Sequence, residues 1–246
     1  MVKKVLMYGL VLMLVCGASG TGVGLLYMAT RDEISAKRVE AFVSTLNSVF
    51  SNEVEKITVY DCESQEELTL DQVIERMSAP GDKKLTLADL KKKVYIGYDG
   101  QGKRIAYAAT GEAQGYQSTV ELLVSVKPDP AVATRVPENP EVLKMRVVAS
   151  QETPGLGENI KKIEVDESLW GAMTRKGEEE EKEAVPAFQA QFTGKRLDQL
   201  RVVTVEDPTA LMAVTGATIT SNAAAKASRD AIDKIVKCFR GKMQEE

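Results

Sequence analysis

The sequence predicts an α+β chain. Short strand-like runs gather between residues 94 and 148, helical patterns lie at both ends, and an uncharged apolar interval opens the chain. From Val5 to Thr30 there is no charged side chain. As a helix those roughly 26 residues reach ~39 Å, more than the ~30 Å hydrocarbon core of a bilayer requires. A cleaved secretory signal is the competing reading, because Lys3 and Lys4 precede the interval and Gly17, Ala18, Ser19 and Gly20 are small. Apolar character resumes at Val23–Met28, so a retained anchor over residues 1–30 is the expectation.

After the anchor, Val39, Phe42, Val43, Leu46, Val49 and Phe50 recur at helical spacing, predicting a helix over Asp32 to Val49. A second helix is expected from Leu68 to Met77. Lys91, Lys92 and Lys93 read as a solvated edge before the strand Val94–Tyr98. The turn Asp99–Gly102 then leads into a partner strand, Arg104–Thr110. Val120–Val126 and Leu143–Val148 read as further strands, with four prolines in the loop between Pro128 and Pro140. The run Lys176–Glu183, with five glutamates, reads as an exposed linker and not a metal site, since its carboxylates have no fixed geometry. Asn222 to Arg240 reads as the last helix: Ala223, Ala224, Ala225 and Ala227 favour it, and Ile232, Ile235, Val236 and Phe239 supply an apolar stripe.

Composition excludes several functions. Apolar content of 43% and charged content of 28% are ordinary for a folded protein, and a net charge of -4 without a basic stripe argues against nucleic acid. There is no histidine, which removes imidazole metal sites and histidine-based catalysis. Cys16, Cys62 and Cys238 show no iron–sulfur or zinc spacing. Outside the cytoplasm Cys62 and Cys238 could pair, but the sequence favours two separate thiols.

The most informative stretch is Ala213-Val214-Thr215-Gly216-Ala217-Thr218-Ile219-Thr220-Ser221, a hydroxyl-rich turn feeding the last helix. Unpaired N–H groups and the positive dipole end favour a phosphate there, and Gly216 removes the side chain that would keep it away. Upstream lie three more compact motifs: Gly115-Tyr116, Gln151-Glu152-Thr153-Pro154-Gly155-Leu156-Gly157, and Phe188-Gln189-Ala190-Gln191-Phe192-Thr193-Gly194-Lys195.

In that order, after an apolar helix, these motifs resemble the covalent-FMN-binding domain of the G subunit of Rnf electron-transport complexes. The C subunit of sodium-translocating NADH:quinone reductases shares that domain. The resemblance implies a transmembrane anchor over 1–30, a membrane-proximal helical and mixed region over 31–90, and an FMN-binding domain over 91–246 with a mostly antiparallel sheet and flanking helices. It implies covalent FMN, joined by a phosphoester to Thr218. Thr215, Gly216 and Ala217 would give backbone approach, and Thr220 or Ser221 would bond the phosphate. Glu152, Thr153 and Leu156 would border the isoalloxazine ring, and Lys195 would lie near ring or phosphate. Implied partners are the other membrane subunits of an Rnf-type complex and a flavin transferase. The domain would be extracytoplasmic.

The chain departs from the family pattern at Met212, where an Asp six residues before the modified Thr is usual, and at Ser150–Gln151, where a His is common. With no catalytic residue, metal site or nicotinamide fingerprint expected, electron relay within an ion-pumping membrane complex is the implied function. Two alternatives stay open: the C subunit of a sodium-translocating quinone reductase, and an anchored binding or assembly module without flavin.

Overall fold

In the computed structural model, residues 2–78, 86–161 and 185–240 are described, so the glutamate-rich run lies outside the described residues. Helix α1 runs without a break from Val2 to Val49, uniting the apolar interval and the amphipathic pattern after it. Its Leu6–Arg31 portion is long and apolar enough to cross a membrane, which fits a membrane location. The chain divides into two units, Met1–Ser44 and Thr45–Glu246.

The second unit is built on a six-stranded sheet in the order β2-β1-β3-β4-β5-β6, antiparallel throughout. Its strands are β1 (Lys56–Tyr60), β2 (Glu67–Thr69), β3 (Val94–Tyr98), β4 (Arg104–Gln114), β5 (Thr119–Val126) and β6 (Val142–Ala149). Helices α2 (Leu70–Ser78) and α3 (Leu87–Leu90) connect β2 to β3. After β6 come a 3-10 turn (Gly157–Lys161), the short helix α4 (Ala187–Ala190), a parallel two-stranded ribbon of β7 (Val202–Val203) and β8 (Leu211–Met212), and the C-terminal helix α5 (Thr218–Arg240). The α+β class expected from the sequence is what is found. The expected strands and hairpin are present, β4 extending further than its apolar run alone suggested.

The central strands lack the alternation of apolar and polar residues because both sheet faces are covered. Val94, Ile96, Tyr107, Ala109, Leu122 and Val124 share a buried cluster with Ala227, Ile232 and Phe239 of α5. Their neighbours Tyr95, Ala108 and Leu123, pointing the other way, are just as buried. On that second face the Ser125 hydroxyl donates to the Val49 carbonyl at 2.7 Å and the Tyr95 hydroxyl to the Leu90 carbonyl at 2.8 Å. A side chain at Gly97 would come within 2.9 Å of Val54 and 3.0 Å of Phe50.

Helix α5 approaches β4 closely because both surfaces are small. Ala223, Ala224, Ala227 and Ala231 form its buried stripe, and a Cβ at Gly111 would overlap the Ala227 carbonyl oxygen. A backbone group cannot swing aside as a flexible side chain can. Gly111→Ala is therefore expected to destabilise the domain by about 2–3 kcal/mol, the usual cost of overpacking, measured by thermal denaturation. An unchanged melting temperature would show that the helix can retreat at no cost.

The far end of α5 corrects the expectation of separate thiols. Cys62 and Cys238 form a disulfide, their Cα atoms 5.3 Å apart although the residues lie 176 positions apart in sequence. Tyr60 and Tyr107 both pack on Phe239, with ring centroids 5.3 and 4.6 Å away, and this cluster brings the turn after β1 beside the last turn of α5. The lysine run is likewise less solvated than its composition implied. Lys91 pairs with Glu121 and Lys93 with Asp61, each ammonium part-buried, because the run leads into a strand in the middle of the sheet.

Candidate functional site

Three loops converge at the N-terminus of α5. The first is the hydroxyl-rich turn, where Ala217 N–H donates to the Val214 carbonyl at 2.9 Å and Gly216 adopts φ +74°, a conformation that costs glycine little. The helix begins at Thr218. Its first intrahelical bond runs from Ser221 N–H to the Ala217 carbonyl at 2.9 Å, so the N–H groups of Thr218, Ile219 and Thr220 precede the helical ladder.

The four hydroxyls of this turn divide into two pairs. Thr215 and Thr218 are exposed. Thr220 and Ser221 are buried: Thr220 donates to Glu152 Oε2 at 2.8 Å, while Ser221 Oγ accepts from Val214 N–H at 3.0 Å and donates to the Ala217 carbonyl at 3.0 Å. Ser221 thus ties the turn to the helix it starts.

The second loop, Gln151–Gly157, turns at Gly155, with φ +76°, and continues as the 3-10 turn. Leu156 is exposed, and a Cβ added to Gly216 would lie 3.0 Å from its Cδ2, so this loop touches the first. The third is the turn between β4 and β5, closed by a 2.8 Å bond from Gly115 N–H to the Ser118 carbonyl. Thr153 Oγ1 lies 3.1 Å from Gln117 Oε1 and joins the second loop to the third.

Glu152 stands at the centre of the three and is only 5% exposed. Its Oε1 accepts from Ser118 N–H at 2.9 Å, Gln117 N–H at 3.3 Å and the Ser118 hydroxyl at 3.2 Å, and its Oε2 takes the Thr220 hydroxyl. Burial pushes this carboxyl up, but the bonds from Ser118, Thr220 and Gln117 outweigh burial and hold it below the usual range. Two glycines make room for it. A Cβ at Gly115 would stand 2.5 Å from Oε1, and one at Gly157 would stand 2.7 Å from Oε2.

Lys195 belongs to a neighbouring structure. Phe188 and Phe192 anchor the segment in the core edge to face, with centroids 5.5 Å apart, and Gly194 turns the chain with φ +78°. Gln191 accepts from Met212 N–H at 2.7 Å, and the Lys195 ammonium donates to the Pro208 carbonyl. Gln191, Lys195, Asp207 and Met212 share a cleft of about 600 Å³. Gln117 and Ser118, which carry much of this scaffold, were not singled out from the sequence; they follow Gly115-Tyr116 directly, and that adjacency was the available signal.

The geometry fits a flavin mononucleotide. Exposed hydroxyls of Thr215 and Thr218 and the N–H groups that precede the helical ladder suit a phosphate, while exposed apolar side chains of Tyr116, Leu156 and Ile219 on the converging segments suit a flat aromatic ring. Among the described residues no cluster of acidic or sulfur side chains could hold a metal ion.

Residues 115–233 match the FMN-binding domain family. The matched stretch resembles an FMN-binding domain. Its limits enclose the three converging loops, Lys195 and most of α5. Among curated proteins, the chain is 33% identical over 153 residues to the G subunit of the proton-translocating ferredoxin:NAD(+) oxidoreductase complex of Clostridium ljungdahlii. That match spans 62% of this chain and 64% of the relative, somewhat under two thirds of its length. The resemblance to Rnf G subunits drawn from the four motifs is thereby borne out.

Two solved structures are similar to this chain. Shewanella oneidensis NqrC matches with a TM-score of 0.46 and 18% identity, over 87% of this chain and 99% of that one. The C subunit of the Na(+)-translocating NADH-quinone reductase of Parabacteroides distasonis matches with a TM-score of 0.45 and 14% identity, over 78% and 80%.

Proposed function

We propose that this chain is the FMN-carrying electron-transfer subunit of a membrane-bound, ion-translocating oxidoreductase of the Rnf type, with FMN joined through its phosphate to Thr218. The observation that carries this reading is the exposed Thr218 hydroxyl on the first residue of α5, where three loops of an FMN-binding domain converge. Bound flavin supplies one- and two-electron redox chemistry, and the protein fixes its place and surroundings.

In attachment, the Thr218 oxygen forms a bond to the phosphorus of a flavin donor that carries its phosphate as an anhydride. The anhydride P–O bond breaks, a nucleoside monophosphate leaves with the electron pair, and the hydroxyl proton passes to a base of the flavin transferase. Thr218 is an anchor and takes no part in turnover. Gly216 and Ala217 leave the backbone open to the phosphate, and the dipole of α5 offsets its charge. Thr215 supplies a second exposed hydroxyl, Leu156 an apolar surface for the ring, and Thr153 a link that holds the loop in place.

The domain is extracytoplasmic in this reading, anchored by α1 and working beside other membrane subunits. The Cys62–Cys238 bridge supports that placement, because such bonds persist in oxidising compartments and are rare in the cytosol. The Clostridium relative, named as part of a complex, supports the assignment of partners and of ferredoxin:NAD electron transfer coupled to ion movement. Intact-mass measurement on the chain purified from its own membranes tests the proposal. One added FMN less water, with a yellow band that bleaches on reduction, is expected. A colourless chain of unmodified mass would favour the assembly-module alternative.

A further inference from the structure

We infer that Glu152 is a positioning residue that latches the flavin-attachment turn into the shape in which Thr218 is presented. The inference rests on the proposed function, and it goes beyond a carboxylate at the ring edge, since the Glu152 oxygens are committed inside the protein. The carboxylate bridges two segments: Oε1 holds the Gln117–Ser118 turn through two N–H groups and a hydroxyl, and Oε2, which also receives a longer 3.5 Å bond from Gln117 N–H, takes the Thr220 hydroxyl, two residues beyond Thr218.

This carboxylate is the buried acid among the described residues, and it has no basic partner there. Its charge is balanced by hydrogen-bond donors alone, so the loops must close around it to repay its removal from water. Gly115 and Gly157 are needed for that closure, because a Cβ at either would collide with the carboxylate. The glycines of two motifs therefore act through Glu152 as well as through backbone freedom. Thr220 is 1% exposed, and its bond fixes the first turn of α5 against the second loop. On the same turn, the Ser221 hydroxyl secures Val214. Between these two ties, the exposed Thr218 is held with little freedom.

The test uses the full-length chain, made without flavin in a host lacking the transferase and purified in detergent. Four forms are compared: wild type, Glu152→Ala, Glu152→Gln and Thr220→Val. Two measurements are made: amide hydrogen exchange on the flavin-free chain, and the rate of FMN attachment by purified flavin transferase, followed by intact mass. Glu152→Ala is expected to slow attachment by about tenfold or more, the scale set by loss of a charge-assisted hydrogen bond, and to speed exchange at residues 117–118 and 218–220 only. Thr220→Val should slow attachment by a smaller factor, about threefold to tenfold, because one of the ties remains. Glu152→Gln should recover most of the wild-type rate, since its amide oxygen can accept from Ser118 N–H while its amide N–H donates to Thr220.

The latch is overturned if Glu152→Ala leaves exchange at those amides and the attachment rate unchanged. It is overturned equally if exchange rises throughout the sheet, or if Glu152→Gln is as impaired as Glu152→Ala, which would assign the effect to charge. A wild-type chain that takes up no FMN would instead overturn the proposed function, and exchange at 117–118 and 218–220 would still decide the latch.

Discussion

Thr218→Ala protein produced in its native host is expected to be dark on a denaturing gel under ultraviolet light, where the parent chain fluoresces, and to show no FMN adduct by mass. The effect should be complete because the other hydroxyls nearby cannot all substitute. Thr220 and Ser221 are buried and engaged with Glu152, Val214 and Ala217, so modifying either would require breaking the helix start. Thr215 alone is comparably exposed, but it precedes Gly216 and lies outside the helical turn whose N–H groups would face the phosphate in the proposed attachment. Thr218→Ser, which keeps the hydroxyl, should retain the adduct. Persistent fluorescence in Thr218→Ala would remove Thr218 from its role and direct attention to Thr215. Met212 bears on the same experiment. It stands where the resemblance implies an acid, on β8 with its N–H held by Gln191, and a slow wild-type attachment rate would be its signature.

Loss of the Cys62–Cys238 bridge is expected to have the largest effect on stability. The bond closes a loop spanning 176 positions, and confining the unfolded chain to that extent is worth about 5 kcal/mol in the chain-entropy model; measured losses for native bridges are about 2–5 kcal/mol. In a domain of this size each kcal/mol moves the melting temperature by about 2–4 °C, so Cys62→Ser or Cys238→Ser should lower it by roughly 10 °C. Added reductant should reproduce the shift in the parent chain and leave either variant unchanged. Equal melting temperatures with and without reductant would mean that the bridge contributes nothing, and a free-thiol count of three in the denatured native protein would mean that it does not form in the cell.

Much of this molecule was legible in its residues. The uncharged interval marked a helix by length and composition, the Asp99–Gly102 turn marked a hairpin, and the alanine run marked α5. The hydroxyl-rich turn could be read as a candidate phosphate site because such a site needs only neighbours in sequence. What stayed hidden depends on contacts between distant segments. No local pattern says that Glu152 reaches residues 117, 118 and 220, and its spacing from them is set by the sheet and not by a repeat. The cysteines are separated by nearly the whole second unit, so their pairing appears only once β1 and α5 are stacked around Phe239. The lysines at 91 and 93 looked solvated because Asp61 and Glu121, which neutralise them, lie about thirty positions away in sequence.

Helix α5 carries its exposed threonine at one pole and its sulfur staple near the other, ~30 Å apart along the helix axis. Closing the staple consumes no group that the proposed attachment at Thr218 would need. Under the proposed function, the folded and oxidised domain would thus be a ready acceptor for its pigment, with colour arriving as the last mark of maturation.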